Sequence, residues 1–149
     1  MRKINEIIIH CTASRPDQDI TAKQVHKFHL SRGWKGIGYH FLIRLDGTIE
    51  AGRPLELAGA HTEYHNQHTI GICYAGGIVV ENGKNKSCDT RTPAQITAMY
   101  NLVRTLVHCY PTIVKISGHR DYNATACPCF DVHGEFDELL RHLKESELF

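Results

Sequence analysis

The run Ile4-Asn-Glu-Ile-Ile-Ile-His-Cys11 constrains this chain more than any other segment. Ile7, Ile8 and Ile9 are consecutive and β-branched, so an extended backbone there carries apolar side chains on both faces. A strand of that kind needs cover on each side. The run therefore predicts a buried first strand and an α/β fold around it.

The rest of the pattern agrees. Thr21-Ala-Lys-Gln24 is a capping box, and Val25 and Phe28 give the helix it opens an apolar stripe that stops at Gly33. Tyr39 to Leu45 alternates as a strand, Asp46-Gly47 turns the chain, and Thr48 to Ala51 returns antiparallel. Thr69 to Ala75 is a further apolar strand. Residues 81–91 are polar and turn-rich and predict a mobile surface loop. Thr92-Pro-Ala-Gln95 caps a second helix, expected to bury Ile96, Met99, Tyr100, Val103, Leu106, Val107 and Tyr110. Thr112 to Ser117 forms the last strand, and a closing helix uses Phe136, Leu139, Leu140 and Leu143. The order β-α-β-β-β-α-β-α predicts one domain over residues 1–149, a mixed central β-sheet flanked by helices.

Composition removes several classes of function. A chain of 149 residues can bury roughly two-thirds of its unfolded surface, enough for a real core. The net charge is +1 and no basic tract exists, which argues against a nucleic-acid partner. No stretch reaches the roughly 20 apolar residues of a membrane span. Met1-Arg2-Lys3 opens like a secretion signal, but Asn5 and Glu6 interrupt the apolar run, which ends by residue 9, so no export signal is expected. Six cysteines lack the density of a disulfide scaffold, and Cys11, Cys73 and Cys109 are expected as buried free thiols.

Three soft ligands stand out. His10 closes the first strand, His119 comes just after the last, and Cys127 lies eight residues beyond, with Pro128 holding it extended. Two imidazoles and a thiolate suit zinc better than magnesium or calcium, and three protein ligands leave a fourth position for water. That describes a catalytic site with one zinc per chain. Such a site activates water near neutral pH, and hydrolysis then needs a hydrogen-bond donor for the developing oxyanion. Cys129 is too close to Cys127 to be an easy second ligand. His29 reads as a core or capping residue, and Tyr39, at the start of an apolar strand, reads on its own as core. The histidines of the 59–68 loop have no evident scaffold for a second metal. His26, His108, His133 and His142 are most simply solvated or structural, and Arg53 reads as an ion-pair former.

The block around His10, the block Gly33-Trp34 through Tyr39-His40 to Gly52-Arg53, and Gly118-His119 through Cys127-Pro128 occur in one order over about residues 6–133. In this the chain resembles the type 2 N-acetylmuramoyl-L-alanine amidases, which include the T7-type phage lysozymes and the animal peptidoglycan recognition proteins. The resemblance implies zinc-dependent cleavage of the amide between N-acetylmuramic acid and L-alanine in peptidoglycan. It implies His10, His119 and Cys127 as metal ligands and Tyr39 as a catalytic residue. Thr125 stands where T7-type lysozymes carry a catalytic lysine and amidase-active recognition proteins carry threonine. It further implies that His61 and Asn66 contact the peptide stem or sugar. His40, packed or standing behind the site, is grouped with them.

The alternative is a non-catalytic peptidoglycan receptor, but family members of that kind typically lack the cysteine present here. RNA polymerase binding, known for T7-type lysozymes, is disfavoured because only nine residues precede His10. The expectation is a monomer, made in the cytoplasm, that reaches the cell wall after release or export.

Overall fold

The computed structural model describes residues 2–146; Met1 of the Met1-Arg2-Lys3 segment and residues 147–149 lie outside the described residues. The elements are β1 (Glu6–Cys11), α1 (Ala22–Ser31), β2 (Phe41–Ile43), β3 (Ile49–Ala51), β4 (Thr69–Tyr74), β5 (Ile78–Glu81), β6 (Lys84–Ser87), α2 (Pro93–Cys109), β7 (Lys115–Gly118) and α3 (Val132–Ser146). Five strands form one mixed sheet in the order β3-β2-β4-β1-β7, with β3 alone antiparallel.

β1 and β4 are buried at every position and pair in parallel at the centre, which is why their sequences read as near-continuous apolar runs. The two-residue period sorts their side chains. Ile7 and Ile9, with Ile70, Ile72 and Tyr74, join the core under α2 and α3, where Met99, Val103, Val107 and Phe136 are fully buried. Each such side chain contributes about 1.5–3 kcal/mol by leaving water. Their alternates, including His10, Thr69, Gly71 and Cys73, lie on the opposite face, which also carries Leu42, packed with Val25 of α1 and Ile37. His10 is thus held rigidly among paired strands, on the face away from the main core.

Both capping boxes form, Thr21 with Gln24 and Thr92 with Gln95. The helix faces differ from expectation. In α1, Val25 and His29 are buried while Phe28 is 57% exposed, because α1 meets the sheet through the face that also carries His29. In α2, Ile96 and Tyr100 are exposed, whereas Gln95 and Leu102 turn inward. Gln95 Nε2 donates to the carbonyls of Ile43 and Ala75, so a polar group is buried with its bonds made.

Residues 81–91 are not simply a loop. Asn82 and Gly83, at φ 53° and 74°, turn β5 into β6 and add a small hairpin outside the main sheet. Asn-Gly suits a turn with both central residues at positive φ. The strand expected over 39–45 is confined to Phe41–Ile43, with Tyr39 in the approach to it, and the last strand starts at Lys115. Cys11 and Cys73 are buried free thiols, as expected; Cys109 is exposed at the end of α2.

Candidate active site

His10 is the penultimate residue of β1, and His119 comes directly after β7, a strand that neighbours β1 in the sheet. The loop after His119 folds back through Arg120 N–H to the Cys127 carbonyl (2.8 Å), which carries Cys127 up to the same rim. The donor atoms of His10, His119 and Cys127 all lie within 4.8 Å of one another. Tetrahedral zinc with bonds of about 2.0–2.3 Å separates its donors by roughly 3.3–3.8 Å, so the widest gap would close by about 1 Å or more for the three to share an ion. His10 is buried, His119 and Cys127 only partly so, and the cluster therefore has an open side. The donor types and spacing fit a borderline-soft divalent ion, zinc first.

Each of these three candidate donors makes a further hydrogen-bond contact. His119 Nε2 accepts from Asn123 Nδ2 at 3.0 Å, and His10 Nε2 faces His61 Nδ1 at 2.9 Å. The Cys127 sulfur accepts from the Cys11 backbone N–H at 3.2 Å. The Thr125 hydroxyl oxygen accepts from the Cys127 N–H at 3.2 Å, leaving its own proton to point elsewhere. Burial, with the neighbouring His61 and His119 adding to it, holds the His10 pKa well below the ordinary value; burial also lowers that of His119. Both rings are neutral near pH 7, the state in which imidazole offers a lone pair.

The Tyr39 ring lies 5.1 Å from that of His10, centroid to centroid, and 5.6 Å from that of His29. Desolvation raises its phenol pKa well above the usual value, and the thiols of Cys73, Cys127 and Cys11 add to the rise. Tyr39 is a protonated donor throughout the neutral range. Beside it opens a cleft of about 230 Å³, lined by Thr12, Ser14, Val25, Phe28, His29 and Tyr39. His29 Nδ1 accepts from the Gly38 N–H at 2.9 Å, and burial brings its pKa to about 4, so it is a wall of the cleft with a structural bond.

The three residues expected at the substrate make defined contacts within the chain. His40 is 1% exposed; Nδ1 accepts from Gly71 N–H at 3.0 Å and Nε2–H donates to the Leu57 carbonyl at 2.9 Å. Both nitrogens are used internally, which leaves no edge for a ligand. Asn66 spends its side-chain oxygen on the backbone N–H groups of His61 and Thr62, each at 3.0 Å, and so braces the loop. His61 is 8% exposed and lies behind His10. A Cβ at Gly59 or Gly71 would come within 2.5 or 2.6 Å of its ring, so both glycines make its seat. The sequence reading missed Thr62, Thr69 and these glycines; the two-residue spacing of Gly59 and His61 carries no signal until β4 is set beside β1.

Another contact joins the two loops that border the site. His65 stacks on Tyr122 with centroids 3.9 Å apart, and the Tyr122 hydroxyl donates to buried Glu6 at 2.6 Å. Among the described residues, no helix is long and apolar enough to cross a membrane.

Comparison with known proteins places these features in a family context. The family model described as N-acetylmuramoyl-L-alanine amidase matches residues 1–130. The endolysin of Enterobacteria phage T3 is 38% identical over 126 residues, covering 85% of this chain and 81% of the phage protein. Among solved structures, N-acetylmuramoyl-L-alanine amidase LysC from Clostridium intestinale URNW matches with a TM-score of 0.75 at 33% identity, covering 93% of this chain and 85% of that one. Wild-type Drosophila PGRP-LB matches with a TM-score of 0.70 at 29% identity, covering 86% and 76%.

Proposed function

We propose, for a chain that belongs to the N-acetylmuramoyl-L-alanine amidase family, zinc-dependent hydrolysis of the amide joining N-acetylmuramic acid to L-alanine in peptidoglycan. The chain is an amidase of the peptidoglycan-hydrolysing kind. The metal, the residue roles and the bond cleaved are the finer reading. The observation that carries it is the convergence of His10, His119 and Cys127 within 4.8 Å, with Tyr39 alongside.

His10, His119 and Cys127 would hold the ion. Zinc so bound supplies Lewis-acid polarisation of the scissile carbonyl and activation of water. The chain's own residues do the rest. The cleft beside Tyr39 takes the substrate and limits water. The Tyr39 phenol, kept protonated by burial, donates to the carbonyl oxygen as negative charge develops there. Thr125 accepts from the Cys127 N–H and retains its own proton, which makes it a second donor on the open side. With a threonine here, no lysine charge assists. The enzyme acts on the cell wall after release or export.

The test is direct. Purified protein is incubated with peptidoglycan, and new L-alanine amino ends are tracked by mass spectrometry of muropeptides, with metal content measured in parallel. Release that depends on bound zinc supports the reading; zinc-loaded protein that liberates no L-alanine ends removes it.

A further inference from the structure

The Thr69 hydroxyl has one proton, and the His65 carbonyl 2.6 Å away can only accept it. At its other contact, His61 Nε2 at 3.2 Å, the same oxygen must therefore accept. This makes His61 the Nε2–H tautomer, with a bare Nδ1. That Nδ1 faces His10 Nε2 at 2.9 Å, so the proton between them belongs to His10. The Thr62 hydroxyl lies 3.0 Å from His61 Nδ1 and 3.3 Å from His10 Nε2, and fits the same polarity by donating to the first and accepting from the second. The chain starts at a backbone carbonyl, which has no proton to give, so its direction cannot reverse.

We propose that Thr69 and His61 are positioning residues: the relay from the His65 carbonyl locks His10 in the Nε2–H tautomer and presents its bare Nδ1 to the metal. A neutral histidine left to itself populates both tautomers, and the Nδ1–H form would have to surrender a proton before ligating there. The seat is built for the purpose. His61 is confined between Gly59 and Gly71, where any side chain would strike the ring, and Thr69 is 3% exposed on the same face of β4. The inference rests on the metal reading above for its purpose, but the polarity of the chain is a property of the metal-free protein.

The experiment uses Thr69→Val, which removes the hydroxyl at nearly constant shape, and Thr69→Ser, which keeps it. Long-range ¹⁵N–¹H correlation spectra of the metal-free protein read the tautomers of His10 and His61, and competition with a chromophoric chelator gives the zinc affinity. Wild type and Thr69→Ser should both show Nε2–H for the two rings. Thr69→Val should shift His10 toward Nδ1–H and weaken zinc binding about tenfold, within the range for partners behind a ligand. A purely structural role for Thr69 would leave the tautomers alone. Nδ1–H at His10 in the wild type, or unchanged tautomers and affinity in Thr69→Val, overturns the proposal. Wild-type protein with the expected tautomers that takes up no zinc supports the relay and sinks the metal reading instead.

Discussion

Replacing Tyr39 by phenylalanine deletes one hydroxyl and little else, so its separate consequences can be worked out. The ring contacts with His10 and His29, at 5.1 and 5.6 Å between centroids, survive the change. The hydroxyl's nearby partner is the Cys73 thiol, a weak one, so the loss should cost no more than about 1 kcal/mol of stability, a few degrees in Tm. Zinc content should be unchanged, because Tyr39 is outside the donor set. The reaction should suffer far more. Removing one donor aimed at an oxyanion costs roughly 100- to 1,000-fold in kcat, about 2.7–4 kcal/mol. If the bond is made only in the transition state, KM stays near the wild-type value. Because burial and the surrounding thiols keep the phenol protonated, the variant should lower the whole pH profile without moving its alkaline limb. The assay is release of L-alanine amino ends from purified muropeptides, with metal analysis and thermal melts on the same samples. Wild-type kcat in a folded, zinc-loaded variant would refute the donor role; lost zinc or a fall of more than about 2 kcal/mol would show that the phenol is structural.

Other parts of the structure lead to further outcomes. Zinc at about 100 times its Kd should stabilise the protein by about 2.7 kcal/mol, and His119→Ala or Cys127→Ser should abolish that shift in a thermal melt. Gly71→Ala places a Cβ within 2.6–2.9 Å of the His61 ring; it should cost about 1–3 kcal/mol and weaken zinc binding, as read by chelator competition. Arg91 has a side chain only 3% exposed, binds Glu135 through two nitrogens at 2.7 and 2.8 Å, bonds Asp89, and lies 3.4 Å over the Phe130 ring. Arg91→Met should therefore destabilise by about 3 kcal/mol in urea unfolding, since two partly exposed carboxylates lose their common partner. In metal-free protein, His61 near pKa 3 and His29 and His40 near 4 sit below the 6.5 of an unfolded histidine. The unfolded chain takes up protons that the folded one refuses, so stability is full above about pH 6.5 and falls as pH drops toward 4. A Tm that holds level from pH 7 to 4.5 would contradict those burial effects.

Much of this protein is set by local order along the chain. A strand apolar on both faces must lie inside a sheet, and β1 does. Thr21 with Gln24 and Thr92 with Gln95 start their helices because a capping box is satisfied within four residues. Asp46-Gly47 turns for an equally local reason, with Gly47 at φ 88°. Asn82-Gly83 carried the same signal, hidden among the polar residues of the hairpin it forms. The chemical types at His10, His119 and Cys127 were also legible, since two imidazoles and a thiolate make a donor set that suits zinc. Periodicity shows which side chains share a face but says nothing of what that face will meet. So the inward turn of Gln95 and the exposure of Phe28 were settled when α2 and α1 packed on the sheet. The same holds for the histidines: His61 became a partner of His10, and His40 a brace for Gly71, only when the parallel pairing of β1, β4 and β2 brought distant residues to hydrogen-bond distance. The sequence alone determined the buried central strand, the helix starts and the kind of donor, because those depend on neighbours a few residues away. Tertiary structure alone decided which nitrogen faces which oxygen, because a buried polar group takes its role from whatever partner the fold sets against it.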